Sequence, residues 1–119
     1  MGTQHDEWAE FRAEMNKRIL DRGNLQVKRF FALDGAAYTP GALDEFTKEL
    51  MGLAASTVLR CDDCIAYHVR RCHKLGMDEP QFWEAMNVGL IVGGSIVIPH
   101  LRRAVAVWDR LQSGEIVGE

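Results

Sequence analysis

Nearly every stretch of this chain repeats its apolar side chains at intervals of three to four residues, and no clear run alternates with a period of two. That spacing turns one stripe of a helix toward a core, whereas a half-buried strand needs alternation. The fold class is therefore expected to be all-α, with about six helices. Asp6 to Leu20 places Trp8, Phe11, Met15 and Ile19 on one face, with Gly23 as a stop signal. A short periodic piece from Leu25 to Leu33 runs into the turn pair Asp34-Gly35. Thr39-Pro40 reads as an N-cap with proline at the first helical position, opening a helix with Leu43, Phe46, Leu50, Leu53 and Thr57 on one stripe. A further helix is expected from about Asp62 to Leu75, closed by Gly76. Asp78 caps the next, with Pro80 in its first turn and Phe82, Met86 and Leu90 facing inward. The last follows Pro99 with Leu101, Val105, Trp108 and Leu111, ending near Gly114.

A length of 119 residues suits a single domain over 1–119, able to bury a core without disulfide staples. The stretches 86–98 and 101–111 are apolar over more than half their circumference. So small a chain cannot cover all of that surface, which leads us to expect oligomerisation through apolar helix faces. Gly89 and Gly93 form a small-x3-small spacing that permits close helix approach, within the protomer or between protomers.

Net charge is −3 and the isoelectric point about 5.8, which leaves no basic footprint for nucleic acid or an anionic membrane. Residues 1–18 are charged throughout, so no secretory signal is expected. Asp6 stands where a myristoylation signal has Ser or Thr. Val88 to Ile98 is too short to span a bilayer. A soluble, cytoplasmic protein is the expectation. Three cysteines cannot complete a disulfide framework, which points away from a small secreted scaffold.

Chemistry concentrates at Cys61-Asp62-Asp63-Cys64-Ile65-Ala66-Tyr67-His68, followed by Cys72 and His73. Cys61, Cys64 and His68 fall at i, i+3 and i+7 and share one helical face. A structural zinc site is one reading of Cys-x2-Cys, but no second ligand pair exists, and Cys72 lies roughly 16 Å along the helix from Cys61 at ~1.5 Å per residue. A redox dithiol is another: at a helix start two sulfurs come within bonding reach, and the N-terminus favours a thiolate. His68 is placed to exchange the thiol proton and Arg60 adds positive charge, whereas Asp62 and Asp63 work against the thiolate. The third reading is a pair of ordinary buried cysteines. No metal or cofactor is expected.

Glu49 lies on the preceding helix at the flank of its apolar stripe, a half-buried position where an unused carboxylate is costly. Together the residues make Glu49-x11-Cys61-x2-Cys64-x3-His68. This pattern resembles the active-site signature of the alkylhydroperoxidase D/carboxymuconolactone decarboxylase superfamily, and the helical context from about residue 40 to 111 resembles it as well. The resemblance implies a multi-helix alkylhydroperoxidase D-like fold assembling into homotrimers or homohexamers. It also implies a thiol peroxidase cycle, in which one cysteine attacks a hydroperoxide, the second condenses with the sulfenic acid, and an external dithiol, a lipoyl- or thioredoxin-like protein, reduces the disulfide. Glu49 and His68 carry over as the proton relay. Members nearest alkylhydroperoxidase D often hold a second histidine between the cysteines; Asp63 stands there in this chain, so a relay through that position is absent.

The resemblance makes a structural demand. In one straight helix Glu49 and Cys61 would lie ~18 Å apart, so the helix must break between about Thr57 and Asp62, with Asp62 or Asp63 as the new N-cap. Cys64, one turn from His68, is assigned as the attacking thiol and Cys61 as the resolving one. Cys72 and His73 are read as structural or surface residues, Tyr67 as core, Trp8, Trp83 and Trp108 as packing, and His100 as a residue near a helix start within reach of a neighbouring protomer. Two other functions remain open: a carboxymuconolactone decarboxylase-type lyase, whose chemistry needs no vicinal thiols, and a non-enzymatic disulfide-switch sensor.

Overall fold

The computed structural model describes residues 6–118, and within them the chain forms six α-helices and no strand. These are α1 (Glu7–Arg22), α2 (Leu25–Ala37), α3 (Glu45–Leu59), α4 (Asp62–Lys74), α5 (Glu79–Gly93) and α6 (Ile98–Gln112), with a short 3-10 turn at Ser95–Val97. The all-α expectation holds. Helix α3 packs between α4 and α5, and α4 packs on α6. Leu53, Val69, Phe82, Met86 and Trp108 fill the space between them. Phe82 of α5 stacks on Trp108 of α6 with ring centroids 4.9 Å apart, a contact worth ~1 kcal/mol beyond the burial itself. Gly89 presses α5 against α3: a Cβ there would lie 2.7 Å from Thr57 Cγ2. The glycine spacing thus serves close packing inside the chain.

The helix ends follow local chemistry. Asp78 and Gln81 form a reciprocal capping box at the start of α5, each side chain accepting from the other's backbone N–H at 2.9 and 3.0 Å. Three sequence expectations need correction. Helix α3 starts at Glu45, capped by Asp44, whose Oδ1 accepts from Thr47 N at 2.7 Å. Thr39 instead closes α2, donating from Oγ1 to Ala36 O at 2.8 Å, and Leu43 lies outside the helix and exposed. Helix α2 runs through Asp34-Gly35 to Ala37 in spite of the ~1 kcal/mol cost of a helical glycine, and Tyr38 at its end packs on His68. Helix α1 buries no residue, and Phe11 and Ile19 of its apolar stripe face outward. Polar contacts attach it instead: buried Arg70 forks onto both oxygens of Asp6 at 2.7 and 3.0 Å and lies over the Trp8 ring. That guanidinium also holds the Asp6 carboxyl below the usual range.

The break between α3 and α4 is two residues wide, Arg60 and Cys61, and a single one of them makes the turn. Arg60 takes a left-handed conformation with φ 59° and ψ 41°, and Cys61 N then donates back to Ser56 O at 3.2 Å. This is a helix-ending motif in which glycine is usual, and it explains how the helix stops without a glycine or proline.

Candidate active site

The N-cap of α4 is Cys61, where Asp62 or Asp63 was expected: its Sγ accepts from Cys64 N at 3.3 Å. Both aspartates instead occupy the first turn of α4. Cys61 and Cys64 are joined in a disulfide with Cα atoms 5.3 Å apart. Reduction would leave both sulfurs at the positive end of α4, where a thiolate is favoured.

One turn further along, His68 is only 8% exposed, and its Nδ1 lies 2.8 Å from Oε1 of Glu49. A carboxylate can only accept, so Nδ1 donates and the lone pair of a neutral ring resides on Nε2. Glu49 is 1% exposed, fully inside the fold, and its Oε2 lies 3.6 Å from Nε of Arg71, which also pairs with Glu45. A hydrogen bond from His68 and the nearby Arg71 guanidinium thus accommodate a carboxylate that would otherwise be expensive to bury. The one-residue hinge at Arg60 folds α4 back along α3 and so unites Glu49 with His68, as the Glu-Cys-Cys-His spacing demands.

His68 and Cys64 open onto one cleft of about 210 Å3, lined also by Arg12, Asp34, Tyr38, Asp63 and Tyr67. The rings of Tyr38 and Tyr67 lie 5.6 and 5.0 Å from that of His68. Burial, and after it the charge of Glu49, pushes both phenols up, so they stay neutral donors at neutral pH. Tyr67 is therefore a wall of the site rather than core. Tyr38 drew no attention in the sequence because it sits in an irregular stretch far from the motif.

Gly52 is a further residue the sequence did not reveal. It lies on α3 one turn from Glu49, and a Cβ on it would meet His68 Cε1 at 2.6 Å and Nε2 at 2.9 Å. Only a hydrogen at this position leaves room for the imidazole.

The aspartates flanking the cysteines are each engaged. Asp63 accepts from Trp8 Nε1 at 2.7 Å. Asp62 accepts from His100 Nδ1 and from an Arg103 terminal nitrogen, both at 2.7 Å, tying α4 to α6. His100, expected near a helix start within reach of a neighbouring protomer, thus bonds Asp62, the residue after Cys61, within its own chain. Trp8 serves a polar contact as well as packing, Trp83 is 40% exposed and bonds Glu79, and Trp108 is core. His73 leans edge-on against Trp108, in keeping with a structural role.

Cys72 lies buried in the core, and burial pushes its thiol up from 9.0 to about 12. Its thiol form is favoured by folding, so the stability it contributes is complete below pH 9.0 and fades as pH climbs toward about 12. Denaturant titrations should show a fall of ~1.4 kcal/mol per pH unit across that window, which a Cys72→Ala variant should lack. A persisting slope in the variant would assign it to another group. Among the described residues no set of three or more Cys, His, Asp or Glu side chains converges where a metal ion could sit. None of their helices is long and apolar enough to cross a membrane.

The model of the carboxymuconolactone decarboxylase family matches residues 25–107. An uncharacterized protein of the cox locus of Paracoccus denitrificans is 33% identical over 82 residues, which is 69% of this chain and 74% of that protein. An uncharacterized protein of Cupriavidus necator is 26% identical over 103 residues, 84% of this chain and 91% of its own. A crystal structure of a carboxymuconolactone decarboxylase family protein from Thermotoga maritima is 52% identical, with a TM-score of 0.89, over 96% of this chain and 100% of that one. An apo protein of the same family from Legionella pneumophila, 24% identical with a TM-score of 0.71, covers 94% of this chain and 100% of its own, a likeness of fold.

Proposed function

The chain belongs to the carboxymuconolactone decarboxylase family, and from that membership we propose that it is a thiol-dependent hydroperoxide reductase working through Cys61 and Cys64. The observation that carries this reading is the buried Glu49–His68 pair opening on the same cleft as Cys64. The Thermotoga maritima relative, for which a role in the antioxidative response has been suggested, is consistent with it.

In the cycle, His68 Nε2 accepts the Cys64 proton while Glu49 stabilises the resulting imidazolium. The Cys64 thiolate attacks the terminal peroxide oxygen: an S–O bond forms, the O–O bond breaks, and the departing alkoxide takes a proton from His68 to leave as an alcohol. Cys61 then attacks the sulfenic sulfur, forming the disulfide and releasing water. An external dithiol, a lipoyl- or thioredoxin-like protein, reduces the disulfide and is itself oxidised. Cys64 is favoured as the attacking thiol because it lines the cleft and is exposed, whereas Cys61 is half-buried. A cytoplasmic setting, rich in dithiol donors, suits the cycle. A homotrimer or homohexamer belongs to the same proposal, supported by apolar side chains left outward such as Phe30 at 69% and Ile91 at 83% exposure. A lyase reaction would leave two vicinal thiols without a task.

The test is consumption of an organic hydroperoxide with a dithiol donor. Cys64→Ser should lose turnover entirely, and Cys61→Ser should accumulate a sulfenic acid that dimedone traps on Cys64. Equal rates in wild type and Cys64→Ser would remove the peroxidase reading, and an adduct on Cys61 in the Cys64→Ser variant would exchange the two roles.

A further inference from the structure

A thiolate at Cys61 or Cys64 forms beside two carboxylates of its own helix, and the structure treats these two differently. Asp63 is held by Trp8, a neutral donor that brings no opposing charge. Asp62 is held by Arg103, a cation, together with His100, both reaching across from α6. From these partners we infer that the Asp62–Arg103 pair, oriented by His100, sets the charge at the start of α4 and thereby the redox poise of the Cys61–Cys64 couple. The inference rests on the dithiol chemistry proposed above, and assigns Asp62, His100 and Arg103 as positioning residues.

Reduction of the disulfide takes two electrons and one proton and leaves one thiol and one thiolate. Only the reduced form carries the new negative charge, so each nearby fixed charge shifts the balance between the two forms. The charged and titratable groups around the couple are Asp62, Asp63, Tyr67 and His68 on α4, Arg60 at the hinge, Glu49 on α3, His100 and Arg103 on α6, Arg12 on α1, and Asp34 and Tyr38 at the cleft wall. Among them Asp62 is adjacent in sequence to Cys61 and directly paired to a cation from another helix, which makes it a charge that can be altered in both senses.

The two halves of the pair should act oppositely. Asp62→Asn removes a negative charge and leaves Arg103, so the thiolate is favoured, thiol acidity rises, and the disulfide becomes easier to reduce. Arg103→Gln leaves Asp62 unopposed, with the reverse result. Each shift should be about threefold, the size expected for half-exposed charges, and the double variant should return close to wild type. A merely structural tie between α4 and α6 predicts otherwise, because both single variants break the same contact and would shift the couple in the same direction.

The experiment is equilibration of the full chain in dithiothreitol buffers, scored by alkylation of Cys61 and Cys64, with thiolate absorbance against pH as a second readout. Cys72 does not intrude on that titration, since its own ionisation is pushed to about 12. Opposite shifts in the two single variants, with restoration in the double, support the inference. Shifts of the same sign, or none, overturn it. A couple that cycles with opposite shifts while hydroperoxide is not consumed would sink the peroxidase reading and leave this inference standing; a couple that never cycles would sink both.

Discussion

Gly52→Ala is expected to cut hydroperoxide turnover by about a hundredfold in a chain that still folds. The added methyl would come 2.6 Å from His68 Cε1, a distance that no side-chain adjustment of alanine relieves, so the imidazole must move. It cannot move far without losing the 2.8 Å bond to Glu49. A displacement of ~1 Å in a proton-transfer group costs about two orders of magnitude. Overpacking of this kind destabilises by ~1–3 kcal/mol, and alanine returns ~1 kcal/mol through its better helix propensity, so the net loss of stability is small. The measurement is kcat/KM beside a denaturation curve. Retention of the wild-type rate would mean that the ring position is immaterial to the chemistry.

Replacement of Glu49 should separate position from charge. In Glu49→Gln the amide oxygen still accepts from His68 Nδ1, so the ring stays in place and the fold loses ~1 kcal/mol. The negative charge that stabilises the imidazolium is gone, however, and the rate should fall about 10²–10⁴-fold. Glu49→Ala removes both functions and leaves His68 Nδ1 buried without an acceptor, costing a further ~1–3 kcal/mol. The informative comparison is the pH–rate profile of the two variants. If glutamine restores most of the rate lost in alanine, Glu49 serves as an orienting group and the relay assignment fails.

The elements whose apolar stripes coincide with capping signals were legible in the sequence. Asp78, Pro80, Phe82 and Met86 lie as their spacing implies, and so do Leu53, Trp108 and Leu111. The four-residue signature was legible because its members share two helix faces, and the need for a break in front of Cys61 followed from distance alone. The break itself was hidden, since Arg60 adopts the left-handed conformation with nothing in its side chain to announce it. Thr39, read as the N-cap of the next helix, is claimed by the end of α2, and Asp44 caps α3 in its place. The outward stripe of α1 misled because periodicity reveals that a face is apolar, not whether the rest of the chain covers it. Gly52, His100 and Arg103 act across elements far apart in sequence, and no local pattern marks such pairings.

The narrowness of the hinge at Arg60 also bears on how the chain can change in length. Most surface connections absorb an added residue as a bulge or a longer loop, but here the helix ends within one residue of the cysteine that starts the next. A residue inserted into α3 beyond Glu49 would swing all that follows by ~100° and advance it by ~1.5 Å. Glu49 and His68 would then face different directions although every side chain of the motif was still present. The eleven residues separating Glu49 from Cys61 act as a ruler, cut to three turns of helix and one sharp corner, and tolerance of substitution there need not bring tolerance of insertion or deletion.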